Sequence, residues 1–512
     1  MYTVVEKILE PGEALPRWET WGTTGYDALG EIDRLLTDPA GEAGLTRLDT
    51  SLRGGTPADW QELAHAAKRN VAETALRAEV TRLARSAGLP WPQEVVADAL
   101  AEVLACFGVY RTYLPQGRHH LVAALQQAGQ RRPDLGEVLQ ALGPVLGVDV
   151  EAAEQLSETA LRFQQTSGMV MAKGVEDSAF YRFTRLTSLN EVGGDPSQFA
   201  LTPQQVHAAF AQRQREWPQS LTALSTHDTK RSETVRARIT VLSEDPQGWA
   251  ELVGEVQRGL GDLAPLRDGP LLNLLLQALV GAWPLSEERA QEYALKAARE
   301  AGLHTTWTDP DPAFEAELAA SVSALLGPLA PALERYVERV LAAGFSNALA
   351  QKLVQLTMPG VPDVYQGSEL WAPALVDPDN RRPVDFGELR AALRRVLAAE
   401  AGPVPTHEDA KLLLTQRALH LRRDRPELFS GYQPLHAVGS RAEHVFAFDR
   451  GGAISVVTRL PLGLQRAGGW EETCLALPSG TWRDALTNLD WSGQPLLSEL
   501  LRQLPVALLH QI

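Results

Sequence analysis

Four acidic residues stand where short apolar segments of the sequence end, and acids in such positions can carry out chemistry. Glu6 ends the run at 2–5, Asp27 ends "WGTTGYD", Asp228 ends "SLTALSTHD" and Glu369 ends "MPGVPDVYQGSE". Because the working residues of parallel α/β barrels sit at the carboxyl ends of strands, the four segments predict one polar edge of such a barrel. Two carboxylates that flank a sugar bond, one protonated and one ionised, are what glycoside cleavage requires.

Strong helix signals fill the sequence between these segments. Thr56 is predicted to be an N-cap with Pro57 at the first helical position and Asp59 at the third, and this helix is expected to run to Gly88. A second helix is expected to start at Thr202 with a capping box. The segments that bear the acids are therefore separated by long helical insertions.

The charge of the chain excludes some classes of partner. Its 48 basic and 64 acidic residues give a net charge of −16, so no basic field is present to hold nucleic acid or an anionic membrane surface. The least polar stretch, 269–285, contains Asn273, Gln277 and Pro284, and its apolar part is shorter than the ~20 residues that span a bilayer. This stretch is predicted to be a buried helix.

The two cysteines, Cys106 and Cys474, lie far apart and lack metal-type spacing, which favours a reducing compartment over a disulfide framework. The start of the sequence has no basic segment followed by an apolar stretch, as a signal peptide would have. These features predict a cytoplasmic protein.

The character of the sequence changes after residue 430. "EHVFAFDRGGAISVVTRL" predicts two strands around an Asp-Arg-Gly-Gly turn, and "WEETCLALPSGTWRDAL" predicts two more around Pro-Ser-Gly. The final "PVALLHQI" reads as another strand. A small antiparallel β domain is therefore expected at 430–512.

The sequence contains six longer motifs: "VEKILEPGE", "GTTGYDAL", "MAKGVEDSAFYRFTRLTSLNEVGGDP", "STHDTKRSETVRARI", "MPGVPDVYQGSELW" and "LVDPDNRRPVDF". Together these motifs resemble the maltooligosyl trehalose synthase family of the α-amylase superfamily. The resemblance implies an α/β fold: the second half of a (β/α)8 barrel with large helical insertions and a C-terminal antiparallel β domain. The implied divisions are strands five and six at 1–45, a helical insertion with a substrate-contacting motif at 46–214, strand seven at 215–240, a helical insertion at 241–354, strand eight and its loop at 355–400, and a mainly antiparallel β domain at 401–512.

The family isomerises the reducing-end bond of a maltooligosaccharide from α-1,4 to α,α-1,1 by a retaining double displacement, with no metal or organic cofactor. By resemblance, Glu6 is the general acid and base, and Asp228 is the second acid, which stabilises the oxocarbenium-like transition state. The residues that the resemblance implies as substrate contacts are His227, Tyr26, Asp27, Lys173, Glu176, Asp177, Tyr181, Arg182, Lys230 and Arg231.

The resemblance also implies that strands one to four, with the nucleophilic aspartate on the fourth, have no counterpart in this sequence. A chain without the nucleophile is expected to be inactive alone, or to need a separate chain that carries the first half of the barrel. The expected partners are thus a maltooligosaccharide and that second chain, with no nucleic acid and no membrane.

Other readings of the same residues stay open. The pair His227–Asp228 also occurs in metal-dependent phosphohydrolases, with His207 as an upstream ligand, although that class places its ligands on helices whereas 221–225 reads as a strand. The cluster at 173–182 is compatible with a solvated helix face, and the loop at 377–386 with a docking contact. An inactive glucan-binding protein and an α-amylase-type hydrolase are the alternative functions.

Overall fold

The computed structural model describes residues 1–263, 266–398 and 407–512. Four extended segments lie side by side in parallel and in chain order. Val5 bridges Thr23, the Leu221 amide donates to the Thr23 carbonyl at 3.1 Å, and strand Leu221–Thr222 pairs with strand Val361–Pro362. Since parallel strands present their carboxyl ends at one edge, the residues that follow each segment converge there.

Each ladder is shorter than the sequence predicts, because glycine and proline interrupt the segments. Pro362 has no amide hydrogen to donate to a ladder. Gly25 has a φ of 97°, and a Cβ at this position would lie 2.6 Å from the Leu221 carbonyl oxygen. Glycine therefore allows the second and third segments to approach each other closely at the point where the helix Tyr26–Leu35 begins.

The first helical region forms its own core around the helix Gln93–Cys106. The N-cap predicted at Thr56 is wrong: the helix starts at Trp60 with Asp59 as N-cap, since the Asp59 carboxylate accepts the amides of Gln61 and Glu62. The α-helices up to residue 216 are Tyr26–Leu35, Glu42–Leu52, Trp60–Glu73, Arg77–Ala87, Gln93–Cys106, Arg118–Arg131, Gly136–Val145, Glu158–Met171, Phe180–Arg182 and Pro203–Glu216, with a π-helix at Ala172–Ala179.

The single helix predicted up to Gly88 is also wrong, because it breaks between Glu73 and Arg77. The Thr74 hydroxyl donates to the Asn70 carbonyl at 2.6 Å, which offers the backbone a local alternative to continuing the helix. By contrast, the capping box predicted at Thr202 is confirmed. The Gln205 side chain accepts the Thr202 amide at 2.9 Å while the Thr202 hydroxyl accepts the Gln205 amide at 3.2 Å.

The second helical region contains the buried helix that the sequence predicts at 269–285. Its two polar residues are satisfied by tertiary contacts, since Asn273 and Gln277 both donate to the Thr184 carbonyl, at 2.7 and 2.8 Å. The α-helices from residue 233 onward are Glu233–Thr240, Pro246–Leu263, Gly269–Ala282, Glu287–Ala301, Pro312–Leu326, Ala330–Thr357, Phe386–Ala398, Ala410–Asp424, Pro461–Arg466 and Leu497–Leu500. The 3-10 helices are Pro39–Gly41, Pro133–Leu135, Ala153–Gln155, Thr187–Leu189, Val241–Glu244, Asp379–Arg381, Pro426–Phe429 and Ala442–His444.

Within the described ranges, no single helix has both the length and the apolar character needed to cross a bilayer. Helices Pro312–Leu326 and Ala330–Thr357 meet that threshold only as a pair, with a bend of 61° between them.

The C-terminal part contains an antiparallel sheet, as the sequence predicts, and this sheet has six strands. The strands, in their order across the sheet, are Gln433–Leu435, Val445–Asp449, Ala453–Thr458, Val506–Gln511, Trp482–Asp484 and Asp490–Trp491. A separate small ladder joins Ala437–Val438 to Cys474–Leu475. The domain boundary predicted at residue 400 lies outside the described residues.

One of the two predicted hairpins is confirmed and the other is wrong. Val445–Asp449 and Ala453–Thr458 pair around the expected turn. The strands on either side of Pro-Ser-Gly do not pair with each other, because Trp482–Asp484 turns back onto Asp490–Trp491 instead. The Asp484 carboxylate holds this tighter turn by accepting the Leu486 amide at 3.0 Å and the Thr487 hydroxyl at 2.6 Å.

Buried polar contacts join the sheet domain to the helices. Arg459 donates to the Leu35 carbonyl at 3.1 Å, and the Gly463 amide donates to the Glu244 carboxylate at 2.7 Å. Burial raises the pKa of Glu244 to about 8, and Asp38 adds to the rise, although the bond from Gly463 opposes it.

Glu244→Gln is expected to flatten the dependence of stability on pH. A carboxyl group whose pKa is higher in the folded than in the unfolded state binds its proton more tightly when folded, so stability falls as the pH rises between the two values. For a rise from 4.5 to about 8, this group accounts for about 2 kcal/mol of lost unfolding free energy between pH 6 and 8. Urea unfolding at both pH values measures the loss.

The matched control is Glu292→Gln, which changes an exposed glutamate. We expect this variant to lose as much stability as the wild type between the two pH values. An equal loss in Glu244→Gln would contradict the role assigned to Glu244.

Candidate active site

Glu6 lies at the polar edge of the four parallel segments. The Val5 amide donates to the Gly22 carbonyl at 2.9 Å and the Thr24 amide to the Val5 carbonyl at 3.2 Å, so Glu6 comes directly after the last paired residue. Its side chain is exposed, whereas that of Lys7 is buried. Successive side chains of an extended segment point to opposite sides, so Glu6 faces the open edge and Lys7 faces away from it.

Tyr26 follows the second parallel segment and contacts the turn that carries Asp228. Its ring is buried, and its hydroxyl lies 3.0 Å from the Thr226 hydroxyl. Burial raises the pKa of Tyr26, and the carboxylates of Asp228 and Glu6 raise it further. The two acids are 222 positions apart in sequence, and both follow segments of the same parallel group.

Asp228 sits in a tight turn that is held from two sides. The Thr226 hydroxyl accepts the Asp228 amide at 3.0 Å and the Thr229 amide at 3.2 Å. From outside, the Asn380 amide group donates to the carbonyls of His227 and Thr229, each at 3.1 Å. The loop at 377–386 thus docks on the turn that carries Asp228.

Glu191 anchors the far end of the same turn, and the sequence reasoning did not single it out. Its buried carboxylate accepts the Lys230 amide at 2.7 Å and the Arg231 amide at 3.1 Å. The buried guanidinium of Arg236 lies 3.6 Å from it. One signal was its place in "TSLNEVGGDP", where Glu191 directly precedes Val192 and a pair of glycines.

A π-helix brings further charged groups to the turn. Ala172–Ala179 contains Glu176 and Asp177, and the Lys230 ammonium lies 3.6 Å from the first carboxylate and 3.1 Å from the second. The Tyr110 hydroxyl donates to Glu176. Since π-helical turns are rare and occur mostly at functional sites, this geometry marks the cluster as a candidate site.

The cluster combines a fixed positive charge with a carboxyl group that titrates near neutrality. Burial would lower the pKa of Lys230, but Glu176 and Asp177 outweigh it and keep the ammonium protonated. Burial raises the pKa of Glu176 to about 7 against the effect of Lys230, and Asp228 adds to the rise. Together these groups offer donors and acceptors of the kind that hold sugar hydroxyls.

Some of the predicted contact residues do not reach this cluster. Asp27 pairs with Arg213 and accepts the Thr23 hydroxyl at 2.7 Å, and Arg182 donates to the Ala301 carbonyl at 2.6 Å. Both side chains therefore bind residues outside the cluster. Tyr181 is buried in the core of the second helical region.

The remaining predicted residues surround the turn in different ways. Lys173 is exposed and pairs with Asp177 at 2.6 Å. The His227 side chain is also exposed, whereas the Arg231 guanidinium is buried and donates to the Tyr293 hydroxyl at 3.1 Å. Arg231 thus contributes its backbone to the turn and directs its side chain into the protein.

His65, Glu102 and Cys106 form the metal-type group found in the described part of the chain, and they lie in the first helical region. The Glu102 carboxylate is already bound by Arg69 at 2.9 Å. Burial and Glu102 raise the pKa of the Cys106 thiol to about 12. Because metals bind the thiolate, this group is a poor metal site.

Known proteins provide an independent comparison. No family model matches the chain. Proteins named "putative maltooligosyl trehalose synthase" from two strains of Mycobacterium tuberculosis are each 43% identical over 527 aligned residues, which cover 99% of this chain. The chain spans 65% of the length of these curated relatives.

Solved structures give the same result. The maltooligosyltrehalose synthase from Arthrobacter ramosus superposes with a TM-score of 0.94 and 51% identity, over all of this chain and 66% of that one. A hypothetical maltooligosyl trehalose synthase from Sulfolobus tokodaii gives a TM-score of 0.78 and 26% identity, over all of this chain and 65% of its own. By sequence and by fold, the chain belongs to the maltooligosyl trehalose synthase family.

Proposed function

We propose that this chain supplies the acid/base and transition-state-stabilising groups of a glucosylmutase. The reaction converts the reducing-end α-1,4 bond of a maltooligosaccharide to α,α-1,1 and gives maltooligosyl trehalose. The single observation that carries the proposal is the parallel arrangement of the four segments, which brings Glu6 and Asp228 to one edge. The names of the relatives support the choice of substrate.

The two carboxylates are suited to different tasks. Glu6 is exposed at the open edge, where it can protonate the leaving oxygen and later remove a proton from the incoming hydroxyl. Asp228 is half-buried in a turn fixed by its backbone bonds, so its charge is preorganised to stabilise an oxocarbenium-like transition state.

A mutase must also retain the released glucose and exclude water while that sugar turns over. The cluster of Glu176, Asp177 and Lys230 lies beside the turn and offers charged hydrogen-bonding groups to the loose sugar. We assign these three residues to holding the released glucose. This role would favour isomerisation over hydrolysis by an α-amylase-type route.

We further propose that the four parallel segments are strands five to eight of a (β/α)8 barrel. A retaining reaction needs a nucleophilic carboxylate, which the family carries on the fourth strand, and no motif of that segment occurs in the 512 residues. A polypeptide limited to these 512 residues is expected to bind maltooligosaccharide, and turnover is expected when the first four strands are supplied with it.

The test is to incubate maltopentaose with the chain alone and with a polypeptide covering the part of the Arthrobacter enzyme that this chain does not match. We expect a non-reducing product ending in trehalose only in the mixture, and none when the chain carries Glu6→Gln or Asp228→Asn. Chromatography of the products and a reducing-sugar assay distinguish the mutase from a hydrolase, which would increase the reducing ends.

Glu19→Gln, at an exposed position in the same part of the chain, is the matched control and should leave turnover in the mixture unchanged. Turnover by these 512 residues alone would contradict the assignment of the nucleophile to the first four strands of the barrel. Absence of heat in a calorimetric titration of the chain with maltopentaose would contradict the substrate site itself.

Glu191→Gln is expected to loosen the turn that carries Asp228. A glutamine has one acceptor oxygen and an amide group that repels an N–H, so either Lys230 or Arg231 loses its backbone partner. Hydrogen exchange of a peptide spanning 224–233 should become faster, and kcat in the active mixture should fall by about tenfold, as loss of one charge-assisted bond predicts.

Glu102→Gln is the matched control, because it neutralises another buried carboxylate that accepts two bonds but lies in the first helical region. It should lower the melting temperature without changing exchange at 224–233. If both variants lose stability and neither changes local exchange or kcat, Glu191 does not position the turn.

A further inference from the structure

A cavity of about 320 Å³ lies between the segment at 12–17 and residues 111–120. Lys7 lines this cavity, and its side chain points away from the side of the chain that Glu6 faces. The cavity is therefore distinct from the cluster around Asp228. The side chains that matter for its chemistry are Arg17, Arg111, Thr112, Tyr113, His119 and His120.

The cavity is basic in a protein whose net charge is −16. Glu13 is the acid in its lining, and that carboxylate is paired with Lys7. Arg17 and Arg111 have no ion-pair partner among the described residues, and the tilted rings of His119 and His120 have their centroids 3.9 Å apart. Clustering of unpaired cations is unfavourable unless an anion compensates them.

A helix adds its positive end to the same place. Arg118–Arg131 begins at Gly117, which has a φ of 75° and, like any glycine, no side chain to cap the helix. Its first turn contains no acid and instead reads Arg-His-His. Because the N-terminus of a helix attracts negative charge, basic residues there destabilise the free helix and fit an anion-binding site.

Two buried donor atoms in the cavity lining have no hydrogen-bond partner. This observation does not depend on the helix end. Thr112 is 3% exposed and its hydroxyl has no hydrogen-bond partner. Arg111 is half-buried, and its Nε is a buried atom without a partner. The Arg111 guanidinium stacks over the Tyr113 ring at 4.8 Å, which fixes its orientation. Buried donors of this kind are destabilising until an acceptor reaches them.

We propose that this cavity binds a phosphate group, either free or as a sugar ester. A phosphate presents several acceptor oxygens and up to two negative charges, which match the guanidinium, hydroxyl and imidazole donors and the helix end. Tyr113 and Gln116 line the same cavity and can face the sugar of an ester. The proposal does not depend on the catalytic assignment.

Isothermal titration of the 512-residue chain at constant ionic strength tests the proposal, with inorganic phosphate, glucose 6-phosphate and glucose as probes. We expect phosphate, its ester or both to bind and glucose not to compete. Arg111→Met should weaken binding at least about tenfold, the expected loss for one charge-assisted contact. Arg17→Met, at an exposed position, is a second variant in case the first fails to fold.

Arg215→Met removes an exposed arginine of the helix Pro203–Glu216 and is the matched control, which should bind as the wild type does. Tighter binding of the ester than of free phosphate identifies a sugar phosphate as the ligand, and the reverse identifies phosphate itself. Failure of both probes to bind at millimolar concentrations, or equal weakening by Arg17→Met and Arg215→Met, would overturn the proposal. Because no maltooligosaccharide is used, failure of the catalytic assignment would not affect this result.

Discussion

The organisation of the site depends on one buried ion network around Arg236. This guanidinium is fully buried, binds Asp33 at 2.7 Å and lies 3.6 Å from Glu191. It also donates to the carbonyls of Arg231 and Leu224, at 2.6 and 2.7 Å. Loss of one partner of a buried ion pair costs about 3–5 kcal/mol, because the other charge stays buried without compensation. The network therefore joins the helix Tyr26–Leu35, which contains Asp33, to Leu224 and Arg231 on either side of Asp228.

A second buried network supports the same turn from behind. Glu233 pairs with Lys352 at 2.8 Å and with Lys411 at 2.7 Å. Burial would raise the pKa of Glu233, but the two lysines outweigh it and lower that pKa to about 2. The same carboxylate accepts the Ser225 hydroxyl at 3.1 Å, so the third segment is fixed to the helices Ala330–Thr357 and Ala410–Asp424. Asp228 is thus held by helices that are distant in sequence.

The features that the sequence predicts correctly are those determined by residues close together in the chain. The capping box at Thr202 and the hairpin at 445–458 were predictable, because each depends on residues within a few positions of one another. The start of the helix at Trp60 was missed, since Asp59 competes with Thr56 for the same role and accepts two amides. The pairing of Asp27 with Arg213 spans 186 residues, and no local pattern indicates it. Glu191 was missed for the same reason, because its partners follow 39 and 40 positions later.

The segment at 6–13 belongs to both the catalytic edge and the basic cavity. Glu6 faces the first, and Lys7 faces the second, where it pairs with Glu13 and donates to the Ile8 carbonyl at 3.1 Å. The backbone that carries Glu6 is therefore fixed by a contact made on the opposite side of the chain. The segment is paired with its neighbour at Thr3 and Val5, and the Lys7–Glu13 pair constrains the backbone beyond Glu6. A phosphate bound in the proposed cavity would act on this pair, one residue away from Glu6.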